Sequence, residues 1–369
     1  MSNVNEKWQE NWNQFGKLKC LDDLRLYFGV DREFRHENYF HYTSSTIIES
    51  IIENKQIWVS SVKSFNDTND SEQFGTKEEQ SYYFSLCFST GINENLPLWY
   101  MYSGMNGQGG RIKITKGYIK TLFNNNNSLK CTLWEKEKKP NGKIGLKKGS
   151  GKSLRKDEDY SIEFKDILYY RMDDSKNTVD IKYNTMTNYN ITKYDFEKYI
   201  SENKGFFKSL VWYYEKETRL IIKLIDNAKN LIDKNKEYVI TIDLDGITPQ
   251  NFSVMLAPEI TDEEFRNVSN FMLEKAPKIE LKKSKYHGTV KMNFCSKCNN
   301  SKNPPLTTRG IIRNQGRNVL LPPSRLCRDT SLEEGGIGPL SEGAVSEADW
   351  GSELQDAVSE ADWGSAPTD

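Results

Sequence analysis

The stretch Tyr39-Phe-His-Tyr-Thr-Ser-Ser-Thr-Ile-Ile-Glu-Ser-Ile-Ile-Glu-Asn-Lys-Gln-Ile-Trp-Val-Ser60 packs a strand, a helix and a second strand into one short span. Tyr39–Tyr42 is aromatic and brief, which suits a strand. Thr46-Ile-Ile-Glu49 has capping-box spacing, in which a threonine hydroxyl and a glutamate three residues on satisfy each other's backbone N–H groups. It predicts a helix opening there and running to about Lys55. Ile57–Ser60 then alternates apolar and polar side chains, the two-residue period of a strand.

Outward from this stretch the same mixture continues. Lys17–Tyr27 has helical spacing. Asn66-Asp67-Thr68-Asn69-Asp70 is turn chemistry, since Asn and Asp side chains bond their own backbone. Tyr82–Ser89 predicts a strand, Leu96–Ser103 a short aromatic helix, and Arg111–Thr115 a strand. Lys130–Asp159 is rich in Lys and Gly and weakly periodic, so it reads as an insertion loop. Strands are expected at Ile167–Arg171, Thr218–Leu224, Tyr238–Leu244 and Phe252–Leu256. Helices are expected at Tyr194–Asn203 and Asp262–Lys275, the latter capped by Thr261. The sum is an α+β fold of mixed, mainly antiparallel sheets with flanking helices, in one domain over residues 1–303.

Near residue 303 the composition breaks. Residues 1–303 hold 46 Lys and Arg against 41 Asp and Glu, a net charge of +5. From Pro304 onward there is no Lys, Phe or Tyr, and 5 Arg face 11 acidic residues, a net of −6. A stretch with so little apolar bulk cannot offset the entropy of ordering, and a disordered acidic C-terminal tail is expected over 304–369. Within it, Ala344–Ser352 recurs as Ala357–Ser365. The paired Trp350 and Trp363, each followed by Gly, could anchor a bivalent peptide ligand resembling the tryptophan–glycine hooks of Argonaute partners. The opposing reading is a tail foreign to the domain, joined by fusion or frameshift.

Composition excludes several classes. The whole chain carries a net charge of −1, so nothing pulls it globally toward nucleic acid or anionic membrane. No run approaches the ~20 apolar residues that span a bilayer. Met1–Glu10 has no apolar signal-peptide core. Six cysteines in 369 residues are not a disulfide framework. A cytoplasmic location is the expectation. Cys295 and Cys298 form half of a zinc knuckle, with only Cys327 and His287 as further ligand candidates; a reduced surface turn fits them better. Gly104–Gly110 lacks the setting of a nucleotide loop, and Gly151-Lys152-Ser153 has Leu146 where a P-loop needs Gly.

Three blocks resemble a bacterial domain-of-unknown-function family, numbered 2971. The first is Phe40-His41-Tyr42-Thr43-Ser44, a helix, Ile57-Trp58-Val59-Ser60, and Ser64-Phe65-Asn66-Asp67. The second is Phe84–Ser89, Leu98-Trp99-Tyr100-Met101-Tyr102 and Gly109-Gly110-Arg111-Ile112. The third is Lys208-Ser209, Trp212 and Glu215-Lys216-Glu217-Thr218-Arg219-Leu220. The match spans about residues 37–260, and it departs at Thr68, where the family has Pro, and in the Lys/Gly-rich insertion. The layout is similar to that of ADP-ribosyltransferases, which set a His or Arg, a Ser/Thr or aromatic, and a Glu on three strands.

That similarity implies NAD as cofactor and a toxin or phage-defence role, acting on a nucleic acid or a protein. Cleaving the nicotinamide–ribose bond builds positive charge on the ribose, which a carboxylate stabilises before taking the acceptor's proton. Glu217 is the first candidate for this carboxylate and Glu215 the second; a strand extended back to Glu215 would put both on one face. His41 is the opposite pole of the expected cleft. Tyr42, Thr43, Ser89, Tyr102 and Arg219 are candidate cofactor contacts. A purely structural Glu–Arg ladder and a core histidine would look the same in sequence. The alternatives are a non-catalytic nucleotide or nucleic-acid binding module, and a nuclease using Asp67, Glu72 and Glu217 with a divalent metal.

Overall fold

A computed structural model describes residues 34–65, 67–91, 93–103, 109–124, 129–140, 144–182, 191–293, 311–314 and 317–320. The helix expected at Lys17–Tyr27, the residue Asn66, Cys295, Cys298, Cys327 and the repeat with Trp350 and Trp363 lie outside them. The chain divides into two units, Met1–Arg328 and Asp329–Asp369, and the described residues all belong to the first.

The opening stretch folds as read. Strand β1 (Asn38–Ser44) leads into helix α1 (Ser45–Asn54) and strand β2 (Gln56–Ser61). The capping box does not form: Ser44 is the N-cap, its side chain accepts from no backbone N–H of the helix, and its hydroxyl meets that of Thr46 at 3.1 Å. Ile48, Ile51 and Ile52 recur at helical spacing and are all buried, so the apolar stripe rather than the cap holds α1 down. Lys55 closes the helix in the left-handed conformation (φ 50°) and turns the chain into β2.

Next come α2 (Thr68–Glu72), β3 (Tyr83–Ser89), α3 (Leu96–Tyr102), β4 (Gly109–Thr115) and α4 (Lys116–Asn124). Strands β5 (Cys131–Lys138), β6 (Ile144–Leu146) and β7 (Lys152–Leu154) follow where an insertion loop was expected. That expectation fails because Cys131 and Leu133 alternate inward into the core while the charges that follow pair outside, Glu135 with Lys147 and Lys236. Counting Lys as loop chemistry hid a half-buried strand. Then come β8 (Tyr160–Asp166), β9 (Leu168–Asp173), β10 (Thr178–Lys182), β11 (Ile191–Thr192), α5 (Lys193–Glu202) and β12 (Phe207–Ser209). The first unit continues with β13 (Glu217–Leu224), α6 (Asp226–Lys229), β14 (Tyr238–Asp243), β15 (Phe252–Leu256), α7 (Asp262–Lys275) and β16 (Glu280–Lys283). Helix α7 carries the capping box that α1 lacks, between Thr261 and Glu264.

Twelve strands form one sheet, in the order β16-β15-β4-β1-β3-β2-β14-β5-β6, with β13 on β3, β8 on β13 and β7 on β5. All these pairs are antiparallel except β15–β16. The sheet forks at β3. One edge of β3 is lined throughout by β13, from Glu217↔Ser89 to Lys223↔Tyr83. Its other edge is shared: β1 meets it only at Phe40↔Ser89, and β2 only at Ser60↔Ser85 and Ser61↔Phe84. The two wings diverge from there, and the main core fills the space with Tyr39, Phe84, Leu86, Leu220, Ile222, Ile240 and the apolar faces of α1, α4 and α7.

A second sheet runs β11-β10-β9-β12, with β12 parallel to β9. Two further strands, β18 (Ile311–Asn314) and β19 (Arg317–Leu320), pair with β17 (Val290–Asn293). They lie within the expected tail, where Ile311-Ile312 and Val319-Leu320 are strand formers. Among the described residues no helix is long and apolar enough to cross a membrane.

Candidate functional site

Because side chains alternate along a strand, the register decides which candidates can meet. Phe40, Ser89 and Glu217 sit opposite one another on β1, β3 and β13 and share one face. Helix α3 lies on that face, with Trp99 edge-on to Tyr42 at 4.8 Å. His41 and Thr43 take the other face. There the His41 ring lies 6.1 Å from Phe88, and its Nδ1–H donates to the carbonyl of Cys87 at 3.0 Å. Burial lowers the pKa of His41, only partly offset by that bond, so the imidazole is neutral at pH 7. The expected pairing of His41 with Glu217 across one cleft is therefore corrected: one strand separates them and the sheet lies between their side chains.

What the face does assemble is an ionic chain. Glu217 opens β13 and is nearly inaccessible, and its carboxylate accepts from Arg219 Nε at 2.6 Å, Arg219 Nη2 at 3.2 Å and Lys208 Nζ at 3.1 Å. Arg219 also forks onto Asp70, at 2.7 Å and 2.5 Å, and donates to the carbonyl of Gly205 at 2.9 Å. Lys208, from β12, reaches past Glu217 to Glu215 at 2.5 Å. Glu215 in turn accepts from the hydroxyl of Tyr102, at the end of α3, at 3.2 Å. The backbone N–H of Glu217 donates to the Tyr169 hydroxyl at 2.8 Å. Of these residues, Tyr102 alone reaches solvent substantially, at 38% exposure.

Glu215 is not on the strand. Leu210–Glu215 is a 3-10 turn, and Lys216 stands in the left-handed region (φ 43°, ψ 58°) before β13 begins. The expected shared strand face is thus corrected, because the kink breaks the alternation. It nonetheless aims both carboxylates at Lys208 from two directions.

The two glutamates are driven apart electrostatically. Burial alone would raise the pKa of Glu217, but Arg219 and Lys208 reverse this and hold it well below the usual carboxylate range. Glu215 has less help. Burial pushes it up, Lys208 opposes, and the Glu217 charge adds to the rise, so it titrates at about 7. Asp70, Glu215 and Glu217 face only Lys208 and Arg219, and the surplus negative charge falls on Glu215. Burial and the neighbouring glutamates raise Tyr102 and Tyr169, so both stay protonated, Tyr102 as the donor to Glu215 and Tyr169 as the acceptor from Glu217 N–H. The Cys87 thiol, buried beside Glu217, is pushed up and is no nucleophile at neutral pH.

Ser89 lies beside Glu217 in the register, its side chain buried. Tyr42 is on the same face, but its hydroxyl accepts from Asn95 N and Arg111 Nη1, both at 3.2 Å. The nuclease carboxylates do not converge: Asp67 caps α2 and accepts from Trp212 Nε1 at 2.9 Å, Glu72 is exposed, and Glu217 is fully engaged. His287 bonds Pro258 O and Lys283. Sequence reasoning missed Lys208 and Asp70. Asp70 was read as turn chemistry, and Lys208 only as part of a motif. The signal available was that a buried Glu–Lys–Glu–Thr–Arg segment needs counter-charges from elsewhere. No family model, curated protein or solved structure matches the chain.

Proposed function

We propose that the chain is an NAD-consuming enzyme of ADP-ribosyltransferase type in which Glu215, rather than Glu217, is the working carboxylate. The observation that supports this reading is a buried carboxyl bonded to the one half-exposed tyrosine of the cluster, a setting in which burial pushes it up to about 7. A general base works best when its pKa lies near the operating pH. Glu217, held ionised by two cations, is a poor proton acceptor and serves to set the charge of its neighbour. In the reaction the C–N bond between ribose and nicotinamide breaks and its electron pair leaves with nicotinamide. The acceptor's hydroxyl or amide bonds the anomeric carbon, and its proton passes to Glu215.

The test is incubation of the purified chain with NAD labelled in its adenylate half, together with lysate protein and nucleic acid, following nicotinamide release and label transfer. Glu215→Gln is expected to reduce both by about 100-fold or more, the usual share of acid–base catalysis. No NAD binding and no nicotinamide release by the unaltered chain would sink the proposal. A second reading, non-catalytic nucleotide binding, has one observation in its favour: the ion pairs of Glu217 and Arg219 are already complete. It predicts NAD binding without release of nicotinamide.

A further inference from the structure

Arg111, from the Gly109-Gly110-Arg111-Ile112 block, takes no part in the glutamate cluster. It sits on β4 between Tyr42 of β1 and Met255 of β15, only 6% exposed. Its Nη1 donates to the Tyr42 hydroxyl at 3.2 Å, and Nη2 points at Met255 Sδ at 3.6 Å. The guanidinium carbon lies 4.3 Å from the centre of the Phe40 ring and 5.8 Å from that of Tyr42. No carboxylate of any described residue pairs with it. Glu94, a buried carboxylate whose charge also acts on Tyr42, is hydrogen-bonded by Trp99 Nε1, the Ser284 hydroxyl and the backbone N–H of Lys285, and makes no direct ion pair with Arg111.

Two residues along the strand, Lys113 is on the same face of β4, partly buried, and likewise pairs with no carboxylate among the described residues. The contrast within the molecule is sharp. Arg219 and Lys208, buried to the same degree, each hold two carboxylates. A buried cation without a counter-ion is costly, and a guanidinium carries five N–H donors of which these contacts use few. Partly buried Tyr100, Met255 and Tyr286 pack around the same cluster and offer ring and thioether surface beside the charge.

We propose that Arg111 and Lys113 form a binding site for the phosphate group of a nucleotide-class small molecule, the phosphate supplying a direct ion-pair partner. The planar fork of arginine suits phosphate oxygens, and two cations match a doubly charged group. The site does not depend on Glu215 acting on NAD. Phosphate binding is expected to survive Glu215→Gln, so failure of one idea is separable from failure of the other.

The experiment is titration calorimetry of the full chain with pyrophosphate and with ADP, in phosphate-free buffer, with acetate as a carboxylate control. The unaltered chain should bind both phosphates saturably. Arg111→Met should weaken binding at least tenfold, Lys113→Met several-fold, and Glu215→Gln not at all. With no anion present, Arg111→Met should melt no lower than the unaltered chain, because it removes a buried charge that has no direct ion-pair partner. A lowered Tm in that variant, together with unchanged phosphate binding, would show Arg111 to be structural and overturn the proposal. So would failure of the unaltered chain to bind pyrophosphate or ADP at millimolar concentration, or binding of oligonucleotides alone. If Arg111→Met does not fold, Lys113→Met gives the same comparison at a less buried position.

Discussion

Glu215 shows how far a single carboxyl depends on neighbours distant in sequence. Its ordinary value is 4.5 and burial beside Glu217 carries it to about 7, so folding favours the protonated form. That stabilisation is complete below the unfolded value and is lost as pH rises from 4.5 to about 7. Glu217 behaves oppositely: its depressed pKa contributes stability above 4.5 that disappears as pH falls. His41, buried and neutral, opposes the Glu215 decline, because its lowered pKa adds stability as pH rises toward 6.5. The contribution of Glu215 is therefore read as a difference: the Tm of the unaltered chain relative to that of Glu215→Gln should fall as pH rises from 4.5 to about 7. A difference that does not change with pH would mean that Glu215 is not shifted. None of this was legible from residues 215–219 alone. The Glu–Lys–Glu–Thr–Arg order announced charge, but not that Lys208 would bridge the two acids.

At the level of elements, the decisive feature is the left-handed Lys216 at the head of β13. Reading the segment as one continuous strand put Glu215, Glu217 and Arg219 on a single face; the kink moves Glu215 into the preceding turn and under Tyr102. Alternation is a sound guide only where pairing continues, and β13 pairs with β3 only from Glu217 onward. Helix α2 is the matching element on the other side. Its Asp70 was legible as a polar turn residue, yet it is 4% exposed and forms a bidentate pair with Arg219. Asp70→Asn leaves a buried guanidinium half compensated, and should cost about 3–5 kcal/mol in urea unfolding. Arg219→Met combined with Asp70→Asn should cost less than the sum of the single changes, because neither variant charge is then stranded. Additive costs would argue that the pair is not coupled.

At the scale of the whole molecule, part of the strands was legible and their junction was not; β5 to β7 were hidden in a stretch rich in Lys and Gly, and β8 just after it was not expected. β1, β3, β4, β14 and β15 follow from local period and composition, since each is apolar on at least one face. That β3 serves two wings could not be read, because β1 and β2 touch it through one and two residue pairs respectively. The fork has a consequence for cooperativity. Leu86, 4% exposed on β3 and part of the main core, supports both wings from the shared strand. Leu86→Ala should cost about 2–5 kcal/mol. Native-state hydrogen exchange should then quicken by a similar factor in β1–β4 and in β2–β14, because both lose the same anchor. Acceleration confined to one wing would show that the wings open independently, with β3 belonging to only one of them. Val239→Ala, on β14 and outside the fork, provides the contrast: its effect should be greater in β2 and β5, its direct partners, than in β4.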